Sequence, residues 1–354
     1  MKINDNFLEN VLNKLIQNNA VPILVGGCVR DYFLEIPSKD YDIEVYGLDT
    51  LEELEDILQE FGDVNLVGKS FGIVKLSTLD MEYDFSFPRT ENKIADGHTG
   101  FDVTVDGKLD FKEASKRRDF TINAIGYDYQ NDTYIDPFEG LGDIKKKLLK
   151  HINDDTFCED PLRVYRAVQF SARFEFSLSK STFELCKKIV KTNEFLEISQ
   201  ERILEEYKKL FLKSFQPSIG LNLLNQLKIE NLSKKKIEYI DEIALKKLDN
   251  KDKLILIFSI IDDVFQKISN DKKLLKQILR LQNFEVPRIL EYKIDKNDSY
   301  IDVLIKKLNM INNMPKPLYQ GKDLIKMGYK PSEKFKTILD TLYKMQLNGE
   351  ICLK

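Results

Sequence analysis

In the segment KDYDIEVYG, residues 39–47, Asp40 and Asp42 stand two apart inside a run of β-formers. Alternate residues of a strand point to one face, so the two carboxylates converge. Like charges that close repel and raise one another's pKa. A divalent cation relieves the conflict. Mg²⁺ suits such a site, because it accepts a few carboxylates and completes its octahedron with water and substrate phosphates. Paired acids can also hold two ions, one activating an attacking oxygen and one steadying a leaving phosphate. The same residues are also compatible with a surface strand end that is ion-paired to Lys39 or Arg30.

Upstream lies VGGCVRD, residues 25–31. A Gly26-Gly27 turn between a strand and a helix lets backbone N–H groups approach an anion. Arg30 lies within reach of a phosphate there. Together the glycine turn and the two aspartates predict a triphosphate cradle beside a metal site. A third acid is available on EYDFSF: Asp84 is the candidate to complete the metal site and help deprotonate a hydroxyl. Glu82, on the same face by period two, is its rival.

Two further segments carry chemistry. In KRRDFTINA, residues 116–124, Arg117 and Arg118 are phosphate or ribose ligands by type. Asp119 and Asn123 share a face if the segment is helical; a structural Asp–Arg pairing at a helix start fits equally. In EDPLRVYR, Asp160, Arg163 and Arg166 are spaced by three and can face one direction behind Pro161. Asp accepts hydrogen bonds and Arg donates them. Cytosine and adenine each offer an amine donor beside a ring-nitrogen acceptor, whereas guanine and uracil invert that order. One Asp and one Arg on a rigid helix can therefore accept C and A and reject G and U. The competing reading is an intrahelical salt bridge between Asp160 and Arg163.

These residues need a sheet and a rigid helical support. Apolar spacing predicts a helix over 5–20, a buried strand at VPILVGG, a short helix at VRDYFLEI and a strand at DYDIEVYG. A helix follows at TLEELEDILQEF, with Thr50 and Glu53 as a capping box, then strands at 64–67, 72–78 and 81–87. Residues 90–112, rich in Gly and Asp, read as a mobile loop. From about 113 the pattern turns helical, with EDPLRVYRAVQFSARF as one helix, then KSTFELCKKIVKT and SQERILEEYKKLFLKS. Residues 216–312 read as more helices, and a two-proline break at NMPKPLY precedes a small helical end. Strands followed by helices predict separate units.

Composition excludes several classes. The 354 residues carry a net charge of −4, unlike a globally basic nucleic-acid binder, although charge can segregate locally. Lysines at 145–147, 208–209 and 234–236 are RNA-contact candidates or solvated helix faces. Cys28, Cys158, Cys186 and Cys352 form no C-x-x-C pair, and His98 and His151 are the only histidines. Zinc ribbons and His-rich metal hydrolases are thereby disfavoured. No segment resembles a signal peptide or membrane span, so a cytoplasmic protein is expected.

The ordered set VGGCVRD, KDYDIEV, RRDFTINAIGYD, IDPFEGLGDIKKKLLKHI, EDPLRVYRAVQFSARF and ERILEEYKKLF resembles bacterial tRNA nucleotidyltransferases. These are the bacterial and eukaryotic-type (class II) CCA-adding enzymes, relatives of bacterial poly(A) polymerases. The likeness covers residues 21–215 and the final GKDLIKMGYKPSEKFKTILDTLYKMQLNGE, and leaves 216–312 without a motif. It implies an α+β protein: a nucleotidyltransferase head with a mixed sheet (1–145), a helical neck with the base-reading helix (146–215), a body (216–312) and a tail (313–354). It implies addition of CCA to the tRNA 3′ end from CTP and ATP with Mg²⁺, and no obligate protein partner. Asp40 and Asp42 would bind metal, and Asp84 would be the third carboxylate. Gly27 and Arg30 would bind triphosphate. Arg118 and Arg166 would contact phosphate or sugar, Asp160 and Arg163 would read the base, and the ERILEE helix would buttress the base-reading helix.

Three departures qualify the resemblance. Some members carry a phosphohydrolase domain with a His-Asp metal site, and no His follows 151, so that activity is expected to be absent. Gln169 stands where a basic residue is frequent, which implies one phosphate or RNA contact fewer. Ser70, in VGKSFG, replaces one of the consecutive basic residues of poly(A)-making relatives, which leans away from poly(A) synthesis. The rivals are partial CC- or A-addition, a poly(A) polymerase, and a non-catalytic nucleotide- or RNA-binding protein. A movable element at 90–112 favours full CCA addition.

Overall fold

The structure, a computed structural model, describes residues 1, 3, 5–38, 40–68, 72–78, 82–93 and 101–351. Ser70, Lys39, His98 and Cys352 lie outside the described residues. The chain forms two compact units, one of residues 1–210 and 219–231, the other of 211–218 and 232–354.

The first unit is built on a seven-stranded mixed sheet. Its strands are β1 (Val21–Val25), β2 (Asp42–Tyr46), β3 (Asp63–Gly68), β4 (Ile73–Ser77) and β5 (Glu82–Ser86), with β8 (Gly126–Asp128) and β9 (Thr133–Ile135). Strand order is β3-β4-β5-β2-β1-β8-β9. Only β2 and β5 run parallel; the other neighbours are antiparallel. Two strands of this sheet were not expected: β8 and β9 fall where the pattern turned helical. Each has three residues, too few to show a period, but their pairing with β1 completes the sheet. Strands β6 (Arg89–Lys93) and β7 (Phe101–Val105) form a separate hairpin within the expected loop.

Helices α1 (Asn6–Gln17), α2 (Gly27–Phe33), α3 (Leu51–Gln59) and α4 (Phe111–Ser115) belong to the first unit. Asp5 caps α1, and Leu8, Val11, Leu12 and Leu15 turn its apolar stripe inward. Thr50 Oγ1 accepts from Glu53 N, while Glu53 reaches Asp49 N, one residue short of a full capping box. Then come α5 (Gly140–Lys145), α6 (Asp154–Glu159), α7 (Arg163–Phe174), α8 (Lys180–Ile189), α9 (Asn193–Leu196), α10 (Gln200–Lys213) and α11 (Ser218–Gln226), with a two-residue pair β10 (Leu148–Leu149) and β11 (Ser177–Leu178).

The single helix expected over 159–174 is broken. α6 ends at Glu159, and Asp160-Pro161-Leu162 form a tight lead-in to α7, with Arg163 N on Asp160 O and Val164 N on Pro161 O. Pro161 has no N–H to continue α6. The RRDFTINA segment is not an α-helix either: Thr121–Asn123 make one 3₁₀ turn.

The second unit is helical: α12 (Lys234–Leu245), α13 (Asn250–Ile260), α14 (Asp262–Ile268), α15 (Lys272–Gln282), α16 (Tyr300–Asn312), α17 (Gly321–Lys326) and α18 (Lys334–Leu347). Central α13 buries Leu254 to Phe258 and packs on α12, α14, α15 and α16. A helix apolar all round belongs inside. Buried Gln346 of α18 donates to Lys316 O and accepts from Leu318 N, fixing the proline-rich break to the final helix. Among the described residues, no helix is long and apolar enough to cross a membrane.

Gly126 shows how tightly the sheet is closed beside β1. A Cβ there would stand 2.6 and 2.8 Å from the Phe111 ring and 2.9 Å from an Ile23 methyl. Phe111 is locked in a cluster with Ile23, Val25 and Tyr46. Gly126→Ala is expected to cost ~1–3 kcal/mol by overpacking, read as a lower urea midpoint at unchanged slope.

Candidate active site

Register brings the chemistry together at one edge of the sheet. The last residue of β1, Val25, pairs with Asp42, and Asp42 pairs with Asp84 across the parallel β2–β5 ladder. The chain then turns at Gly26, whose φ is +73°. That conformation suits glycine, and a Cβ there would lie 3.1 Å from Arg118 Nη1 and 3.4 Å from Asp42 Oδ2. Gly27 opens α2 beside the acids.

Asp42 stands exposed at the start of β2, yet protein crowds its carboxylate. This desolvation raises its pKa; Arg118 opposes the rise, and the charges of Asp84, Asp40 and Glu44 add to it. Asp40 precedes the strand and is exposed. Asp84 Oδ1 lies 3.2 Å from Lys75 Nζ, and Glu82, the rival third acid, lies 3.6 Å from the same ammonium. Asp84, not Glu82, is the residue in register with Asp42.

A residue that sequence reasoning missed organises the opposite wall. Glu44, next on the Asp40–Asp42 face, is fully buried. Its Oε1 accepts from Arg117 Nη2 at 2.7 Å and Arg118 Nη2 at 2.8 Å, and its Oε2 from Tyr46 Oη at 2.9 Å. Burial pushes its pKa up, but the two guanidiniums and the phenol outweigh that and hold it low. The signal was present: period two continues from Asp42 to Glu44, and an acid inside a strand must find a cation.

Asp119 is the second buried hub. Its Oδ1 accepts from Phe120 N and Asn123 Nδ2, both at 2.8 Å, and its Oδ2 from Arg166 Nε at 2.7 Å. So Asp119 and Asn123 do meet, across a 3₁₀ turn. Burial raises Asp119's pKa, and Arg166, Asn123 and Arg163 overcome it. Asn123 in turn accepts from Arg30 Nη1 at 2.6 Å. Arg30 is buried, also held by Asp31, and stacks on Phe170 and Phe174. It lines the cleft with much of its donor capacity already engaged.

Asp160 and Arg163 do not form the intrahelical pair. Asp160 Oδ2 accepts from Arg202 Nη2 of α10 at 2.8 Å, and its Oδ1 from Leu162 N at 3.2 Å. Arg163 donates through Nη1 to Thr156 O and through Nη2 to Arg117 O, both at 2.6 Å. Helix α10 thus does more than buttress: Arg202 enters the wall. The lysines at 208–209 bond Glu205 and Glu206 of their own helix, as a solvated face would.

All this surrounds a cleft of about 540 Å³. Gly26, Gly27, Asp42, Arg118, Asp160, Arg163 and Arg166 line it; Asp40 and Asp84 do not. Seven arginines against three aspartates face it, a cationic wall in a chain of net charge −4. Arg89, at the base of the β6–β7 hairpin, and Arg202 were not anticipated there.

Residues 23–150 match the family described as the Poly A polymerase head domain. That match takes in most of the first unit's sheet. A CCA-adding enzyme of Buchnera aphidicola subsp. Baizongia pistaciae is 40% identical over 191 residues, which are 53% of this chain and 43% of that protein. The chain thus spans under half the length of that curated relative. The CCA-adding enzyme of Bacillus stearothermophilus in complex with CTP has the same fold, at TM-score 0.73 and 22% identity, over 99% of this chain and 94% of that one. The Thermotoga maritima CCA-adding enzyme complexed with tRNA superposes at TM-score 0.67 and 20% identity, over 99% and 94%.

Glu44→Gln is expected to cost about 3 kcal/mol, because Arg117 and Arg118 lose their buried counter-charge. Glu44 and Asp119 titrate below ordinary carboxylates, so the unfolded chain binds more protons and stability rises with pH. Their contribution is present above the ordinary carboxylate range and lost as pH falls through the depressed values. Chemical melts across acid pH should show a flatter acid limb in Glu44→Gln and Asp119→Asn than in the parent.

Proposed function

We propose that this chain is a template-independent RNA nucleotidyltransferase that adds CCA to the 3′ end of tRNA, consuming CTP and ATP and releasing pyrophosphate. The observation that carries it is the single cleft that joins the acidic sheet edge to the break before α7, with Asp42 at one side and Asp160 and Arg163 at the other. The head family and the fold of the CCA-adding enzymes support the same reading, and the head, neck, body and tail boundaries go with it.

The residues suit Mg²⁺. Asp42 and Asp84 are hard oxygen donors in register across the β2–β5 ladder. Among the described residues no three acidic, His or Cys side chains are gathered so as to hold a metal ion. Asp40 and Asp42 would hold it, with Asp84 as the third carboxylate. When bound, it would activate the tRNA 3′ hydroxyl and neutralise charge on the transferring phosphate.

The protein's own groups do the rest. The Gly27 turn and Arg30 take the triphosphate. Arg118, fixed by Glu44, and Arg166, fixed by Asp119, face its phosphate and sugar. Asp160 and Arg163 are anchored separately, by Arg202 and by two carbonyls. They can therefore present an acceptor and a donor to the base at a fixed spacing, which is what a protein template requires. Binding of the tRNA backbone should weaken with salt.

A tRNA lacking CCA, incubated with Mg²⁺ and either CTP, ATP or both, should be completed only with both. Extension by CTP alone to CC, by ATP alone, or to a long A tail would assign a partial or poly(A)-making enzyme. Asp42→Ala should abolish extension while CTP binding persists in part; unchanged turnover would refute the metal assignment. Asp160→Ala should instead relax selection of C and A over G and U, by roughly 1–3 kcal/mol per lost base-edge pairing, measured as ratios of kcat/KM.

A further inference from the structure

The acidic edge has a neighbour that the scheme above does not use. Lys75, in the middle of β4, is the cross-strand partner of Asp84. Its Nζ lies 3.2 Å from Asp84 Oδ1 and 3.6 Å from Glu82 Oε2. The ladder therefore runs Lys75, Asp84, Asp42 across three adjacent strands. The Lys75 and Asp84 side chains are 36% and 45% exposed, so the pair adds little to fold stability. A lysine ammonium is a compact point charge, the side chain that best imitates a bound cation. Asp84, although in register with Asp42, joins no group of three metal-type ligands among the described residues.

We propose that Lys75 is a positioning residue acting through Asp84: its ammonium stands against that carboxylate in place of a cation, so the Asp42–Asp84 pair takes a divalent ion weakly by itself and closes on one together with the incoming triphosphate. The inference rests on the metal-dependent reading above. It gives the active site an order. The ion arrives with the nucleotide, whose phosphates supply the negative charge that Lys75 offsets. Asp84 then exchanges its ammonium partner for the ion. An empty site holds no tightly bound metal that could drive hydrolysis of nearby phosphodiesters.

The test is Mn²⁺ binding to the full chain without nucleotide or tRNA, read as free Mn²⁺ by EPR. Lys75→Met keeps the side-chain length and removes the charge, and should bind Mn²⁺ about tenfold more tightly than the parent, the order expected for one nearby charge near a surface. Lys75→Arg should stay near the parent. In an Asp84→Asn background, Lys75→Met should gain little, because the carboxylate through which it acts is gone. Adding CTP should narrow the gap between parent and Lys75→Met. Equal Mn²⁺ affinity in parent and Lys75→Met, or an undiminished gain in Asp84→Asn, would overturn the proposal. Lys75→Gln, made in parallel, keeps the comparison valid if the Met variant melts early. Mn²⁺ binding needs no turnover. A failed tRNA extension with the expected Mn²⁺ pattern therefore refutes the enzymatic reading alone, and a flat Mn²⁺ pattern in an active enzyme refutes the role of Lys75 alone.

Discussion

One buried carboxylate governs this site. Glu44 sits inside the central sheet, where a bare charge is untenable. It is satisfied by Tyr46 from its own strand and by Arg117 and Arg118 from a segment more than seventy residues later. That long-range demand pulls the RRD segment against the sheet. Once Arg118 is fixed, its neighbour Asp119 is buried, and Asp119 needs cations of its own. Arg166 answers from α7, and Asn123 relays to Arg30 on α2. Sheet edge, glycine turn and α7 are thus joined through two buried acids.

The same arrangement explains a cationic cleft in an acidic chain. Glu44, outside the cleft lining, holds Arg117 and Arg118, and seven arginines against three aspartates leave the charge directed into the cleft positive. A charged group paired on one side retains donors on the other, and a planar guanidinium presents them in a fixed fork. Phe170 and Phe174 brace Arg30, and Phe170 also underlies Arg166. Aromatic support restrains these side chains without consuming their hydrogen bonds. Net charge over the whole chain carries no trace of this segregation.

Much of the site was legible where local rules suffice. Period two put Asp40 and Asp42 on one face, though it was not carried on to Glu44, and glycine chemistry located the turn at Gly26-Gly27. The choice of Asp84 over Glu82 needed strand register, which depends on β5 pairing correctly with β2 and β4. Strands β8 and β9 escaped notice because three residues cannot show a period. Arg202 was hidden for a different reason. Its helix reads as amphipathic support, and only tertiary placement turns that side chain toward Asp160. The Asp119–Asn123 contact was anticipated on an α-helix but arises from a 3₁₀ turn, because the Asp119 side chain bonds the local backbone at Phe120.

Pro161 changes the meaning of the proposed base-reading pair, Asp160 and Arg163. A continuous helix would have set Asp160 one turn from Arg163, where an ion pair would close and neutralise both. The proline ends α6 instead and leaves Asp160 at the lead-in to α7. Asp160 then takes a partner from α10, and Arg163 takes two carbonyls from segments that precede it. Each group is held by something other than its neighbour. An acceptor and a donor that are anchored independently keep their spacing when a base replaces part of their bonding. Two such groups bonded to each other would have to separate first, at the cost of the pair's own energy. Under the proposed reading, the helix break is therefore what would let one Asp and one Arg act as a fixed template.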